Sequence, residues 1–330
     1  MTRARDVADT QDNLGGAVPP VTTGKNFCIN GGFDIWQRGT TSTSANGYVT
    51  ADRWGIFAGT APNTAQETTI IPPGLRYSFR ATTTASSTQP IIYQAIETAN
   101  AIQLAGQSIN LSGYVASSTS ATMNIDVQFS TSVDNSTGGS WTTISPTSGG
   151  SVVTNASTMT RCTGVYAIPS NARTLLIRVY PNSVIASGAS VYVGGVQLEL
   201  GSVATPFSRA GGTIQGELAA CQRYYQRFTS GSLYGTMANV GYANSSTIWY
   251  GNIQLIVPMR VAPTSLDQGG SFRLTNGPGY TVGTLTLTAG VNSPTNAQIG
   301  GTASGMTTYH YVYLQGSNDA AAYIGLSAEL

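Results

Sequence analysis

Apolar and polar residues alternate one for one along much of this chain, and that single feature restricts it to β-structure. Met123, Ile125, Val127 and Phe129 alternate with Asn124, Asp126 and Gln128. A period of two puts the first set on one face of a strand and the second set on the other. The same phase runs through Ile109, Leu111 and Gly113, and through Leu175, Ile177 and Val179. Between 191 and 200 the phase flips. Val191 and Val193 are odd-numbered, Val196, Leu198 and Leu200 are even, and Gly194-Gly195 sits at the change. One extra residue in a strand reverses its faces, so a β-bulge at that pair keeps both halves pointing inward. Such segments recur at short spacing between Ser, Thr, Gly and Asn clusters, which predicts a sandwich or barrel.

Composition narrows the class. Charged residues are 9% of the 330, with 34 Ser, 44 Thr and 39 Gly, and the net charge is +1. Average globular chains carry roughly 25% charged residues. Fifteen scattered cations make no basic stripe, so no nucleic-acid partner is expected. No apolar run nears the roughly 20 residues of a membrane span, so no membrane insertion is expected. The start MTRARD has no apolar stretch behind it, and no secretory leader is expected. Cys28, Cys162 and Cys221 are odd in number. They read as buried free thiols, with a Cys28–Cys162 bridge as the alternative.

Four segments emerge. Residues 1–25 carry Arg3, Arg5, Asp6, Asp9, Asp12 and Lys25 with few large apolar residues, so they cannot bury a core of their own. They read as a docking arm, with Arg3, Arg5, Asp6 and Asp9 as its contact residues. Residues 26–210 form the first β-domain. Residues 211–228 read as a helical connector, because Leu218, Cys221, Tyr225 and Phe228 fall at near-helical spacing after Thr213, a suitable N-cap. Residues 229–330 return to period two, with Ile253, Leu255 and Val257, with Leu285 and Leu287, and with a stripe of Tyr309, Tyr311 and Tyr313. They form a second, smaller β-domain.

Catalytic patterns are missing. His310 is the only histidine, so a nucleophile–histidine pair would have to use it, and it sits beside the tyrosine stripe. Three distant Cys and one His give no metal spacing. Neither a phosphate loop nor a dinucleotide loop is completed at Lys25 or at Gly277-Pro278-Gly279. No metal, no cofactor and no enzyme activity are expected. Paired carboxylates for sugar hydrolysis stay open at Asp34, Asp52, Glu97, Asp126 and Glu199. Trp36 and Trp54, in strand-like runs beside Phe33 and Phe57, read as core. Trp141 after Gly138-Gly139-Ser140, and Trp249 and Tyr250 after Asn244-Ser245-Ser246, read as loop rings. Such rings can stack on the apolar faces of sugars, so Trp141, Trp249 and Tyr250 are the candidate glycan contacts.

Residues 26–39 (NFCINGGFDIWQRG), followed by Tyr48, Asp52, Arg53 and Trp54, resemble the opening of a jelly-roll module of bacteriophage virion fibre proteins, itself similar to carbohydrate-binding modules. Residues 92–97 (IYQAIE), 104–107 (LAGQ), 109–114 (INLSGY) and 193–207 (VGGVQLELGSVATPF) follow in that family's order. Residues 217–225 (ELAACQRYY) resemble the connector after the module. Residues 258–264 (PMRVAPT) resemble a strand of the C-terminal domain, and residues 3–9 (RARDVAD) an attachment segment. The resemblance implies an all-β protein of a virion surface: a jelly-roll β-sandwich, a short helical connector and a second small β-sandwich behind an extended N-terminal arm. It implies a homotrimer that docks on tail, baseplate or capsid proteins through residues 1–25 and is not an enzyme; it names no ligand, and the expectation that the β-domains meet host polysaccharide comes from the aromatic candidates above. A tail fibre or receptor-binding adhesin is the first reading. A capsid decoration or head fibre protein is the alternative, and a secreted polysaccharide hydrolase, or its binding module, a remote one.

Overall fold

The computed structural model describes residues 26–330, apart from 87, 155–157, 239, 277 and 278. Arg3, Arg5, Asp6 and Asp9, and the docking arm they belong to, lie outside the described residues. The described chain is almost wholly β-structure, in four antiparallel sheets.

Two of these sheets build a jelly-roll β-sandwich. In the first, Ser190–Leu200 lies between Ser78–Thr82 and Ser108–Ser117, with Thr160–Ala167 beyond. In the second, Thr174–Pro181 lies between Ala121–Ser130 and Ile91–Ile96, with Gly55–Phe57 at the edge. Strands adjacent in space are thus distant in sequence, as crossing connections between two sheets require. The alternation is realised as read: Met123, Ile125, Val127, Ile109, Leu111, Leu175, Ile177 and Val179 are all buried between the sheets.

The phase flip is a bulge. Register against Ser108–Ser117 shifts between Gly194 and Gln197, and Gly195 takes φ +60°. Positive φ is where glycine costs least, so Val193 and Val196 can both turn inward, and both are buried.

Trp54 is fully buried beside Phe33 at 5.1 Å between ring centroids, and its indole N–H donates to the Asn30 carbonyl at 3.0 Å. Trp36 packs partly buried on the same core. Both tryptophans belong to the core, as expected. The strand-like run expected around Trp36 is instead a series of turns, held by Asn30, whose side-chain N–H groups donate to the carbonyls of Ile35 and Asp52. All three cysteines are buried and free, so the Cys28–Cys162 bridge does not form. Burial raises the Cys162 thiol to about 11.

The connector helix runs Ile214–Gln222. Thr213 caps it, its hydroxyl accepting from the Gly216 N–H at 3.0 Å. The helical spacing continues to Phe228, but the helix does not. Tyr225–Thr229 is a strand paired with Tyr323–Ser327, because neighbouring backbone from the chain's end satisfies its polar groups in extended form.

The second sandwich packs that three-stranded sheet, completed by Ser265–Gly269, on a seven-stranded one. The larger sheet has Tyr311–Gly316, Gly241–Ala243, Ile248–Gln254 and Asn296–Thr302 at its centre. Its core holds Trp249, Ile253, Phe272, Leu274, Val312, Leu314, Ile324 and Leu326.

Charged groups join the two sandwiches. Arg53, 1% exposed and at φ +68°, pairs with Glu329 and lies 3.5 Å over the Tyr224 ring. Arg38 pairs with Glu329 at 3.3 Å and lies 3.6 Å over Tyr225. Arg223 meets Glu97 at 3.0 Å, and Arg260 meets Asp134 at 2.7 Å.

Candidate functional site

The outward phase of the Ala121–Ser130 and Thr174–Pro181 strands builds a platform. Inward residues make the core, so Asp126, Gln128, Leu176 and Arg178 are left on the outer face. Pairing sets their neighbours. Leu176 lies between Gln128 and Ala95, and Arg178 between Asp126 and Tyr93. Next in the same row stands Gly55, opposite Tyr93. A side chain at 55 would meet the Tyr93 ring, a Cβ coming within 2.3 Å of it, so glycine there lets the ring lie flat across the edge strand.

Above this platform opens a cleft of about 450 Å³, lined by Phe57, Ile91, Tyr93, Trp141, Leu176 and Arg178, with Gln128, Thr137 and Gly138. Phe57 is 56% exposed, unusual for a large apolar ring. The wall carrying Trp141 is a short loop tied down at several points. The Trp141 indole donates to the Ser136 carbonyl at 3.2 Å, and the Asn135 side chain donates to the Ser140 carbonyl at 2.9 Å. Asp134 accepts from the Thr98 N–H at 2.9 Å and is paired with Arg260 of the second sandwich.

The cleft's electrostatics are balanced. The Arg178 guanidinium donates to both Asp126 oxygens, through Nε at 2.8 Å and through Nη2, and the Tyr180 hydroxyl donates to Asp126 at 2.8 Å. Burial would lower the Arg178 pKa, but the hydrogen bond to Asp126 and its charge outweigh it, and the pKa is raised. Burial, with the neighbouring Asp126 charge, raises Tyr180; burial alone is the main cause for Tyr93. At neutral pH the cleft therefore presents three aromatic rings, two aliphatic side chains, amide and hydroxyl groups, and an ion pair already neutralised within the protein. Such a surface can stack on the apolar face of a ring and hydrogen-bond its hydroxyls.

The three ring candidates fare differently. Trp141 lines the cleft. Trp249 is not a loop ring: it lies in the strand Ile248–Gln254, 1% exposed in the second core. The alternation of that strand turns 249, 251 and 253 inward, and the Asn-Ser-Ser turn ends just before it. It is therefore removed from the glycan contacts. Tyr250, on the outward phase, is partly exposed, its ring 6.0 Å from Tyr242. Tyr242 in turn pairs with Tyr311 across the sheet. These rings, with Tyr311 at 73% exposure, form an aromatic outer face on the second sandwich, separate from the cleft, whereas Tyr309 sits in the turn before the strand at φ +64° and is not part of the expected stripe.

The five acids kept open for sugar hydrolysis are all engaged. Asp34 pairs with Arg209, Glu97 with Arg223 and Asp126 with Arg178. Asp52 accepts from the Gln37 backbone and side chain, and Glu199 from Gln197 and Thr205. His310 is exposed and precedes the strand Tyr311–Gly316.

The reading from sequence missed Phe57, Tyr93 and Arg178. Asp126 and Arg178 were visible as the charged outward phase of two strongly alternating strands. Nothing in the spacing showed that those strands are neighbours or that Tyr93 flanks them.

No known family model matches the chain, and no curated protein does. Solved structures do. A carbohydrate-binding module solved with β-1,4-galactotriose covers 53% of this chain and 99% of its own length, at 11% identity and a TM-score of 0.35. A xylan-binding domain from Paenibacillus barcinonensis covers 51% of this chain and 96% of its own, at 14% identity and a TM-score of 0.32. The enzymatically active domain of tailspike protein 4 of bacteriophage CBA120 matches 53% of this chain over 21% of its own length, at 12% identity and a TM-score of 0.35.

Proposed function

We propose that this chain is a structural protein of a bacteriophage virion fibre, a tail fibre or receptor-binding adhesin, that holds surface glycan in the cleft beside Trp141 and does not turn it over. The observation that carries the binding reading is the cleft itself: Trp141, Phe57 and Tyr93 around a platform whose only charges cancel. The virion reading rests on the residues quoted above, from 26–54 through 258–264. In it, residues 1–25 dock on other virion proteins, and the chain stands at the virion surface as a homotrimer. The exposed tyrosines Tyr242, Tyr311 and Tyr313 supply a face for packing between copies. Affinity per subunit is weak, because each hydroxyl or amide contact to a sugar adds only modest net energy, and is restored by multivalency.

The experiment is adsorption of the purified protein to host cells or their surface polysaccharide. Trp141→Ala should weaken binding roughly tenfold or more, the loss of one well-stacked ring, with circular dichroism unchanged. Tyr250→Ala should leave adsorption as it was. Undiminished binding by Trp141→Ala would overturn the cleft reading. Localisation of the chain at the capsid in a virion reconstruction would replace the tail fibre by a head fibre, and light scattering at a monomer's mass would remove the trimer.

A further inference from the structure

The Gly194–Gly195 bulge leaves a second hollow, on the outer face of the other sheet, about 400 Å³ in volume. Its floor includes Tyr114, which lies opposite Gly194 on one side and Arg161 on the other. A Cβ at Gly195 would come within 3.2 Å of the Tyr114 ring and of Leu75. The absence of side chains at the bulge is therefore what leaves the ring uncovered. Leu75 and Phe207 flank it, and Ser112 adds a hydroxyl.

Arg161 distinguishes this hollow from the cleft beside Trp141. Its guanidinium makes a hydrogen bond to the Thr205 carbonyl at 2.6 Å, and among the described residues it has no carboxylate partner. Among the described residues, no Asp or Glu lines the hollow. The segment it leans on is firmly held: the Glu199 carboxylate accepts from the Thr205 N–H at 2.9 Å and from its hydroxyl at 2.6 Å, and Gln197 accepts from the Ser208 N–H at 2.8 Å. In the cleft, Arg178 is cancelled by Asp126. Here an exposed cation stands beside an uncovered aromatic ring, with no carboxylate paired to it among the described residues.

We infer that this hollow is a second saccharide site, selective for a carboxylated sugar. The sugar's apolar face lies on Tyr114, and its carboxylate takes hydrogen bonds from Arg161, a charge-assisted and planar match. The inference rests on the proposed glycan-binding role and adds a second site of different chemistry.

Titration calorimetry on the full chain with three probes tests it: tri-galacturonate, sialyllactose and neutral galactotriose. At least one acidic probe should bind the wild-type protein. Arg161→Gln and Tyr114→Ala should each weaken it about tenfold or more, and so should raising salt to about 0.5 M. Trp141→Ala should not. Binding of the neutral probe should follow Trp141 and ignore Arg161. Circular dichroism checks the fold of each variant, and Arg161→Lys, which keeps the charge, should retain part of the affinity. The inference is overturned if neither acidic probe binds, if binding survives Arg161→Gln, or if it follows Trp141 instead. Failure of all three probes and of cell adsorption would sink the glycan reading itself; neutral binding without acidic binding sinks only this second site.

Discussion

The two sandwiches are built from the same alternating pattern yet enclose their cores differently. The first has strands of up to 11 residues, and its core gathers Phe33, Trp36, Trp54 and Phe79 with ring centroids 5.1 to 6.5 Å apart. The second has strands of at most seven residues, and its ring pair, Tyr242 with Tyr250, lies on the outer face. The indole N–H of Trp54 has a partner, whereas that of Trp249 is buried without one among the described residues. An unpartnered buried donor costs about 1–3 kcal/mol. Each sandwich has its own buried core, and the second is tied to the first through Arg53, Arg38 and Glu329. The residues that resemble a family motif at 52–54 thus act at this junction, Trp54 in the core and Arg53 across to the other sandwich.

The sharpest way to break that dependence is Glu329→Ala. It leaves the Arg53 cation buried without its carboxylate, and loss of one partner from a buried pair costs about 3–5 kcal/mol. Urea unfolding followed by tryptophan fluorescence should separate into two transitions, the second sandwich first. An unchanged single transition would show that the second sandwich stands on its own core.

Asp52, next to that junction, links it to pH. Burial is the largest influence on its carboxyl and raises it from the ordinary 3.8 to about 6. Folding therefore favours the protonated form. The stability this contributes is fully present below about pH 3.8 and is lost as pH rises through about 6. Asp52→Asn should flatten the stability curve over that window, gaining of order 1–3 kcal/mol at pH 7 relative to the parent. A denaturation series showing parallel pH profiles for parent and variant would remove Asp52 from the account.

The two buried tryptophans offer a finer contrast. Trp54→Phe gives up a satisfied hydrogen bond and leaves the Asn30 carbonyl with the Phe33 N–H alone, whereas Trp249→Phe removes a donor that has no partner among the described residues. The first should be more destabilising than the second by about 1 kcal/mol in thermal unfolding. Equal losses would mean that ring volume alone sets both costs. Smaller again is the reach of the second sandwich into the cleft. Arg260→Ala removes the ion pair from one Asp134 oxygen, leaving the Thr98 N–H on the other, loosens the loop holding Trp141, and should weaken glycan binding about threefold, within the modest worth of a partly exposed ion pair. A loss as large as that of Trp141→Ala would mean that the ion pair, more than stacking, makes the cleft.

Alternation alone determined which residues of the long strands face inward and the need for a bulge at Gly194-Gly195, while the core positions of Trp54 and Trp36 were legible from their apolar neighbours even though Trp36 lies in turns. Thr213 as a helix cap was likewise legible, because capping involves groups only three residues apart. These are local matters: the period of a strand and the hydrogen bonds of one turn are contained in a few neighbouring residues. Only the tertiary structure decided that Tyr225–Thr229 leaves the helical pattern, since its partner strand lies almost a hundred residues away. The same holds for Trp249, whose Asn-Ser-Ser prelude looks like a loop but whose strand turns it inward. The cleft is decided this way too. Asp126, Arg178 and Tyr93 come from three strands whose order is set by how the two sheets close, and many strands of this chain carry similar patterns that would pair equally well locally. A pattern of period two tells which face a residue takes; which strand lies beside it is settled by the closing of the whole sandwich around its core.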